Sequence, residues 1–151
     1  MSDNRAMNTN RRVLVIDDDR AITEFLSVVL GKHGFQVLTA NRSEEGLQLI
    51  TGKKPDVITL DLMMPDINGW EMCKKIRVFS MVPILVISAI NDPQTIASML
   101  DSGADDYIVK PLSSEMLIAH LNTLLRRSTI IGAYPQPPKA KWLPGTATLP
   151  S

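Results

Sequence analysis

The chain has 151 residues, 44% of them hydrophobic and 21% charged, which suffices for one domain with a single core and is too little for two. Lysine plus arginine and aspartate plus glutamate both number 16, so there is no general basic surplus for nonspecific capture of nucleic acid or an anionic membrane. Cys73 is the only cysteine, and His33 and His120 are the only histidines; an internal disulfide and a thiolate or imidazole zinc set are excluded, and a reducing, cytoplasmic setting is expected.

Residues 1–11 are polar without an apolar leader core and are expected to be a disordered N-terminal segment of a soluble, unexported protein. The longest apolar stretch, residues 82–89, falls far short of the roughly 20 residues of a membrane helix. Val13, Leu14, Val15 and Ile16 then form a continuous apolar run, rich in β-branched residues and ended by acids, the pattern of a strand buried on both faces of a parallel sheet. Similar runs at residues 36–40, 57–60, 84–87 and 107–109 are each followed by a segment of helical period. Ile22, Phe25, Leu26, Val29 and Leu30 mark one face of the first helix, with Gly31 and Gly34 as its stop. Asp92 and Pro93 supply a cap and a first-turn proline for the fourth helix, with Ile96, Met99 and Leu100 as its stripe. Ser113 can cap a fifth helix in which Leu117, Leu121 and Leu124 share a face, ending at Arg126 and Arg127, cations suited to a helix C-terminus. Five strands alternating with five helices predict an α/β fold, a doubly wound parallel sheet with right-handed crossovers. From residue 128 the pattern breaks: five of the ten prolines lie in residues 128–151, expected to be a Pro-rich tail or linker. Charge is uneven too. Three bases against Asp3 in residues 1–12, and Lys139 and Lys141 with no acid after residue 127, leave 11 bases against 15 acids between them.

The strand ends carry the chemistry. In an open parallel sheet functional groups gather beyond the carboxyl ends of the strands, where strand order reverses. Strand one ends in Asp17, Asp18 and Asp19, strand three in Asp61, strand four in Ser88, and strand five in Lys110 and Pro111. If strands one and three are neighbours, two or three carboxylates converge, an arrangement that is costly unless a hard cation joins them. Mg²⁺ suits it, since it takes one or two carboxylates and leaves positions for phosphate oxygens. Lys110 adds a mobile positive charge, and Ser88 a hydroxyl donor.

Four segments, residues 13–19, 60–69, 86–89 and 103–111, occur in the order and spacing of a known family. Together they resemble the receiver domain of two-component response regulators, over residues 12–127, and most closely receivers that precede a winged-helix DNA-binding domain. The resemblance implies a flavodoxin-like fold with strand order 2-1-3-4-5. It implies Asp61 as phosphoacceptor for a phosphoryl group from a sensor histidine kinase or phosphotransfer protein. Asp18 and Asp61 would ligate Mg²⁺ directly, Asp17 through water, and Met63 by its backbone carbonyl. Lys110, Ser88 and Ala89 would contact the phosphoryl group, Ser88 and Tyr107 would switch together, and the Lys110–Pro111 peptide would be cis. Output would pass through the fourth helix, fifth strand and fifth helix, where Ile96, Asp106, Met116 and His120 stand.

Plainer readings exist for each feature. Asp17–Asp19 could be a solvated cap of the first helix, Lys110 a snorkelling surface lysine, and Tyr107 ordinary core. Cys73 reads as packing, His33 and His120 as surface or interface residues, and the Met63-Met64 pair as loop packing. The favoured function is a switch that accepts and slowly loses a phosphoryl group and is not a turnover enzyme. An aspartyl-phosphate hydrolase would need a second acid two residues beyond the nucleophile, where Met63 stands; a phosphorylation-independent scaffold would have lost the acids or the lysine. The chain could act alone through protein contacts or precede a DNA-binding domain, with no nucleic-acid or membrane contact by these residues. Relatives of the winged-helix group pair charges across a two-fold axis at positions held here by Ile96, Met116, His120 and Asn122. Asp101, Asp105 and Asp106 would then lack basic partners, which points to at most a weak homodimer.

Overall fold

A computed structural model describes residues 10–130 of the chain, the last two by backbone only. The expected N-terminal segment and Pro-rich tail therefore fall almost wholly outside the described residues. In chain order the elements are β1 (Arg12–Ile16), α1 (Arg20–Lys32), β2 (Gln36–Ala40), α2 (Ser43–Lys53), β3 (Val57–Asp61), α3 (Gly69–Phe79), β4 (Ile84–Ser88), α4 (Pro93–Asp101), β5 (Asp106–Val109) and α5 (Ser114–Ile130). The strands form one parallel sheet in the order β2-β1-β3-β4-β5.

Side chains alternate across a strand with period two, so each central strand feeds two cores. Leu14, Ile16, Ile58, Leu60, Ile84 and Val86 face one core, closed by Ile50 of α2, Met72, Cys73 and Ile76 of α3, and Met99 of α4. Val13, Val15, Val57, Leu85 and Ile87 face the other, closed by Leu26 and Leu30 of α1 and Leu117, Leu121 and Leu124 of α5. Each such side chain contributes about 1.5–3 kcal/mol by leaving water. The sheet reverses direction of winding between β1 and β3, whose register pairs Ile16 with Leu60; Asp17 and Asp61 are therefore delivered side by side.

Helix capping follows the residue chemistry. Asp19, Asn68 and Asp92 accept backbone N–H bonds at the starts of α1, α3 and α4, and Ser113 Oγ accepts the Met116 N–H at the start of α5. Strands three to five each extend one residue beyond the apolar run, because ladder pairing through Asp61 with Ile87, Ser88 with Val109 and Leu85 with Asp106 depends on the backbone and not on side-chain polarity. Gly31 lies inside α1 and only Gly34, at φ 93°, lies beyond its end. Phe25, expected on the buried face, is 64% exposed, because Thr23, Leu26 and Leu30 form the stripe that meets the sheet. Leu100 is likewise largely exposed while Met99 is buried. Helix α5 runs past Arg127 to Ile130, since nothing in Ser128, Thr129 or Ile130 breaks a helix. Among the described residues no helix is long and apolar enough to cross a membrane.

Candidate functional site

Asp17 follows β1 directly and keeps its backbone in the sheet, donating N–H to Ala40 O at 3.1 Å. Its Oδ1 accepts the Asp19 N–H at 2.9 Å, which turns the carboxylate inward and leaves it 5% exposed. Asp18 stands exposed beside it, and Asp61 closes β3, half-buried. One carboxylate oxygen from each of the three lies within 4.8 Å of the others. Burial pushes the Asp61 carboxyl up to about 6, with the neighbouring charge of Asp17 adding to the rise. Burial raises Asp17 as well. Three hard oxygen donors converging with too little positive charge make an acidic pocket whose donor set fits a divalent cation.

The positive charge comes from Lys110, carried into place by β5. Its backbone N–H bonds Ser88 O at 2.8 Å, its peptide to Pro111 is cis, and its Nζ lies 3.8 Å from Asp17 Oδ2. The lysine thus stands nearest Asp17, while Asp61 feels it as a longer-range charge that partly offsets its raised pKa. The Met63 backbone N–H also offsets part of that rise. The Met63 side chain is 60% exposed, whereas Met64 is buried, so loop packing describes Met64 alone. A cavity of about 470 Å³ is lined by Asp17, Asp61 and Lys110 and is walled on its apolar side by Ile22, Phe25 and Leu112.

Ser88 and Tyr107 meet on one residue. Ser88 Oγ accepts the Ile90 N–H at 3.1 Å, and Tyr107 OH donates to Ile90 O at 2.7 Å, while the Tyr107 ring packs on the core beneath α4. Ala89 is exposed between them and borders the cavity. Cys73 is fully buried, and burial pushes its thiol up to about 12, which fits packing.

On the α4–β5–α5 side, Ile96 is half-buried and Met116 is 48% exposed. Asp105 and Asp106, expected to lack basic partners across a two-fold axis, have partners within the chain: Asp105 Oδ2 pairs with Arg77 Nη2 at 2.8 Å, and Asp106 Oδ2 lies 2.7 Å from His120 Nδ1. Arg77 comes from α3, 28 residues earlier, a distance at which no local pattern announces the pair. Asn122 is 8% exposed and faces inward, so it offers no side chain to that surface.

Sequence reasoning passed over Asn41, Ser43 and Asp66. Asn41 Nδ2 donates to Asp17 O at 2.8 Å and to Thr23 Oγ1 at 3.2 Å. Asp66 Oδ2 accepts both the N–H and the hydroxyl of Ser43. All three are polar loop or helix-start residues with no spacing signal of their own, and Asn41 stands out in sequence only by directly following the apolar run at residues 36–40.

Comparison with known proteins agrees with this geometry. The family model described as the response regulator receiver domain matches residues 13–122. The transcriptional regulatory protein AfsQ1 of Streptomyces coelicolor is 43% identical over 115 residues, covering 76% of this chain and 51% of that protein. The DNA-binding response regulator MtrA of Mycobacterium tuberculosis is 39% identical over 123 residues, covering 81% and 54%. The chain thus spans about half the length of these curated relatives. A two-component response regulator from Clostridium difficile superposes with a TM-score of 0.75 at 37% identity, over 78% of this chain and 98% of that one. The Francisella response regulator 1452 receiver domain gives 0.75 at 35%, over 79% and 99%. With its sheet order, its acid pocket and these matches, the chain belongs to the receiver domain family of two-component response regulators.

Proposed function

We propose that Asp61 accepts a phosphoryl group from a phosphohistidine on a sensor kinase or phosphotransfer protein, and that the receiver unit doing so spans residues 12–127. A carboxylate oxygen of Asp61 attacks phosphorus, the P–N bond breaks, and its electron pair returns to the imidazole, leaving an acyl phosphate. The observation that carries this reading is the convergence of Asp17, Asp18 and Asp61 within 4.8 Å beside Lys110. Mg²⁺, held by Asp18 and Asp61, by Asp17 through water and by the Met63 carbonyl, would neutralise charge gathering on the phosphoryl oxygens. Lys110 moves from Asp17 to a phosphoryl oxygen, and the backbone of Ala89 borders the same group. Ser88 already accepts from Ile90 and has its hydroxyl proton to donate. Recruiting it shifts Ile90, which Tyr107 also holds, so the signal reaches α4, β5 and α5 and their outward residues Ile96, Asp106, Met116 and His120.

The protein then acts in the cytoplasm as a switch and not as a turnover enzyme. That AfsQ1 is a transcriptional regulatory protein and MtrA a DNA-binding response regulator favours transcriptional output when the receiver is joined to a DNA-binding domain. The alternative is a stand-alone receiver acting through protein contacts, for which the exposed Met116 supplies an apolar surface. Incubation with Mg²⁺ and acetyl phosphate tests the core of the reading. Stoichiometric, acid-stable and base-labile label is the expected result; continuous release of phosphate would mark a hydrolase, and no label a phosphorylation-independent scaffold.

A further inference from the structure

Both loops that carry the acids are tied to a third loop that contributes no ligand. Asn41, the residue after β2, uses both N–H bonds of its amide: one goes to Asp17 O at 2.8 Å, the other to Thr23 Oγ1 at 3.2 Å. Thr23 Oγ1 in turn donates to Arg20 O at 3.1 Å within α1, so the hold on the turn through Asp17 and Asp18 is the bond to the Asp17 carbonyl, and the second N–H rests on the helix that follows. Two residues on, Ser43 opens α2 and donates both its N–H, at 2.9 Å, and its hydroxyl, at 2.6 Å, to Asp66 Oδ2 on the loop that leaves Asp61. Arg42 caps α2 without a side-chain bond; Asp66 supplies the missing acceptor and a negative charge at the helix N-terminus. Ser43 holds the Asp66 carboxyl below the usual carboxylate range. The helix is itself fixed on β1 through Gly46, where a Cβ would come 2.8 Å from Ile16 Cδ1.

We propose that Asn41 and Ser43 form a clamp that sets the spacing between the Asp17–Asp18 turn and the Asp61 loop, and through it the affinity of the site for a divalent cation. They are positioning residues, and the proposal rests on the metal-site reading above. An aspartate could not replace Asn41: the Asp17 carbonyl only accepts, so the position needs a donor.

Calorimetric titration of the metal-free chain with Mg²⁺ alone, without phosphodonor, tests it, with metal-free melting temperatures measured alongside. Removing groups that orient metal ligands weakens binding by about tenfold or more, so Asn41→Ala is expected to weaken Mg²⁺ about tenfold. Ser43→Ala, acting five residues from Asp61, should weaken it about threefold. Thr23→Val, which spares the Asp17 bond, should stay within about twofold even if it lowers the melting temperature. Unchanged Mg²⁺ affinity in both Asn41→Ala and Ser43→Ala overturns the clamp, as does an affinity loss in Thr23→Val equal to that of Asn41→Ala, since the effect would then follow stability. If Asn41→Ala does not fold, Ser43→Ala, whose bond lies at the surface, decides alone. Failure of the parent chain to bind Mg²⁺ would instead overturn the metal-site reading, and the clamp with it.

Discussion

Aspartate meets a cationic side chain at both edges of the sheet, with opposite outcomes. At the edge where the strands begin, Arg77 spends its guanidinium on four acceptors: Gly103 O at 3.1 Å, Ser80 O at 3.1 Å, Val82 O at 2.8 Å and Asp105 Oδ2 at 2.8 Å. Asp105 Oδ2 also accepts the Ile84 N–H at 2.8 Å. Gly103, at φ 120°, is required there, because a Cβ would come 2.9 Å from Arg77 Cγ. At the edge where the strands end, three carboxylates converge beside one lysine, whose Nζ lies 3.8 Å from Asp17 Oδ2. Charges matched by fixed donors hold a fold together, whereas charges left short of partners form the pocket proposed above to take a cation and a phosphoryl group. The two edges should therefore respond differently to substitution, one in stability and the other in chemistry.

The largest expected effect is at the acid edge. Asp61→Ala should abolish labelling by acetyl phosphate, while Asp18→Ala should still label to completion, more slowly and with weaker Mg²⁺ dependence, since one carboxylate is the nucleophile and the other places charge. Base-labile label on Asp61→Ala equal to that of the parent would break the assignment.

Next is the opposite edge. Arg77→Ala takes the guanidinium N–H from Asp105 Oδ2, leaving it the Ile84 N–H, and removes the donors to the carbonyls of Gly103, Ser80 and Val82. Removing one partner of a buried pair costs about 3–5 kcal/mol. Because the Asp105 side chain is 36% exposed, about 2–3 kcal/mol is expected, read as a lower urea midpoint. Labelling of the folded fraction should still reach one phosphoryl group per chain. A variant as stable as the parent would show the Arg77 fork to be ornamental.

A smaller effect separates the edges by pH. The Asp61 carboxyl titrates near 6 in the folded chain against about 3.9 when unfolded. Between those values the folded state binds more protons, so metal-free stability falls as pH rises through that window. Asn at this position removes the penalty. Metal-free Asp61→Asn should therefore exceed the parent by on the order of 2 kcal/mol at pH 8, with the gap closing toward pH 4. Saturating Mg²⁺, which stabilises the parent by mass action, should narrow it. Urea melts at the two pH values in chelator check this; a gap that does not change with pH would mean that Asp61 carries no such strain.

What could be read from the sequence divides along the same line. Val13 to Ile16 with the acids after them announced a buried strand and its functional end, because both signals lie within seven residues, and the spacing of Asp61, Ser88 and Lys110 repeated the pattern. Arg77 with Asp105 and Asn41 with Asp17 could not be read, since each pairing joins segments 24 to 28 residues apart and depends on how helices settle on the sheet. Phe25 misled for a related reason. A periodic stripe shows which face of a helix is apolar, but the sheet covers only as much of it as Leu26 and Leu30 fill.

The smallest expected effect lies at the surface pair of Asp106 and His120, whose aspartate is about as exposed as Asp105 but whose cation is far less buried than Arg77. Their side chains are 33% and 30% exposed, and 2.7 Å separates Oδ2 from Nδ1. An exposed pair of this kind contributes about 0–1 kcal/mol, so His120→Ala should lower the stability read from urea melts by less than about 1 kcal/mol. Its consequence is for assembly. With Asp105 committed to Arg77 and Asp106 to His120, an ion-paired dimer through α4, β5 and α5 would first have to break bonds within each chain, and Ile96 and Met116 offer apolar surface instead of charge. Sedimentation with beryllofluoride as phosphoryl mimic should show a weak dimer at most, reduced by Ile96→Asp and little affected by salt. A tight dimer that salt dissolves, and that Ile96→Asp leaves intact, would mean that these acids exchange partners between chains, and the surface would then belong with the site that waits for charge rather than with the fork that is already satisfied.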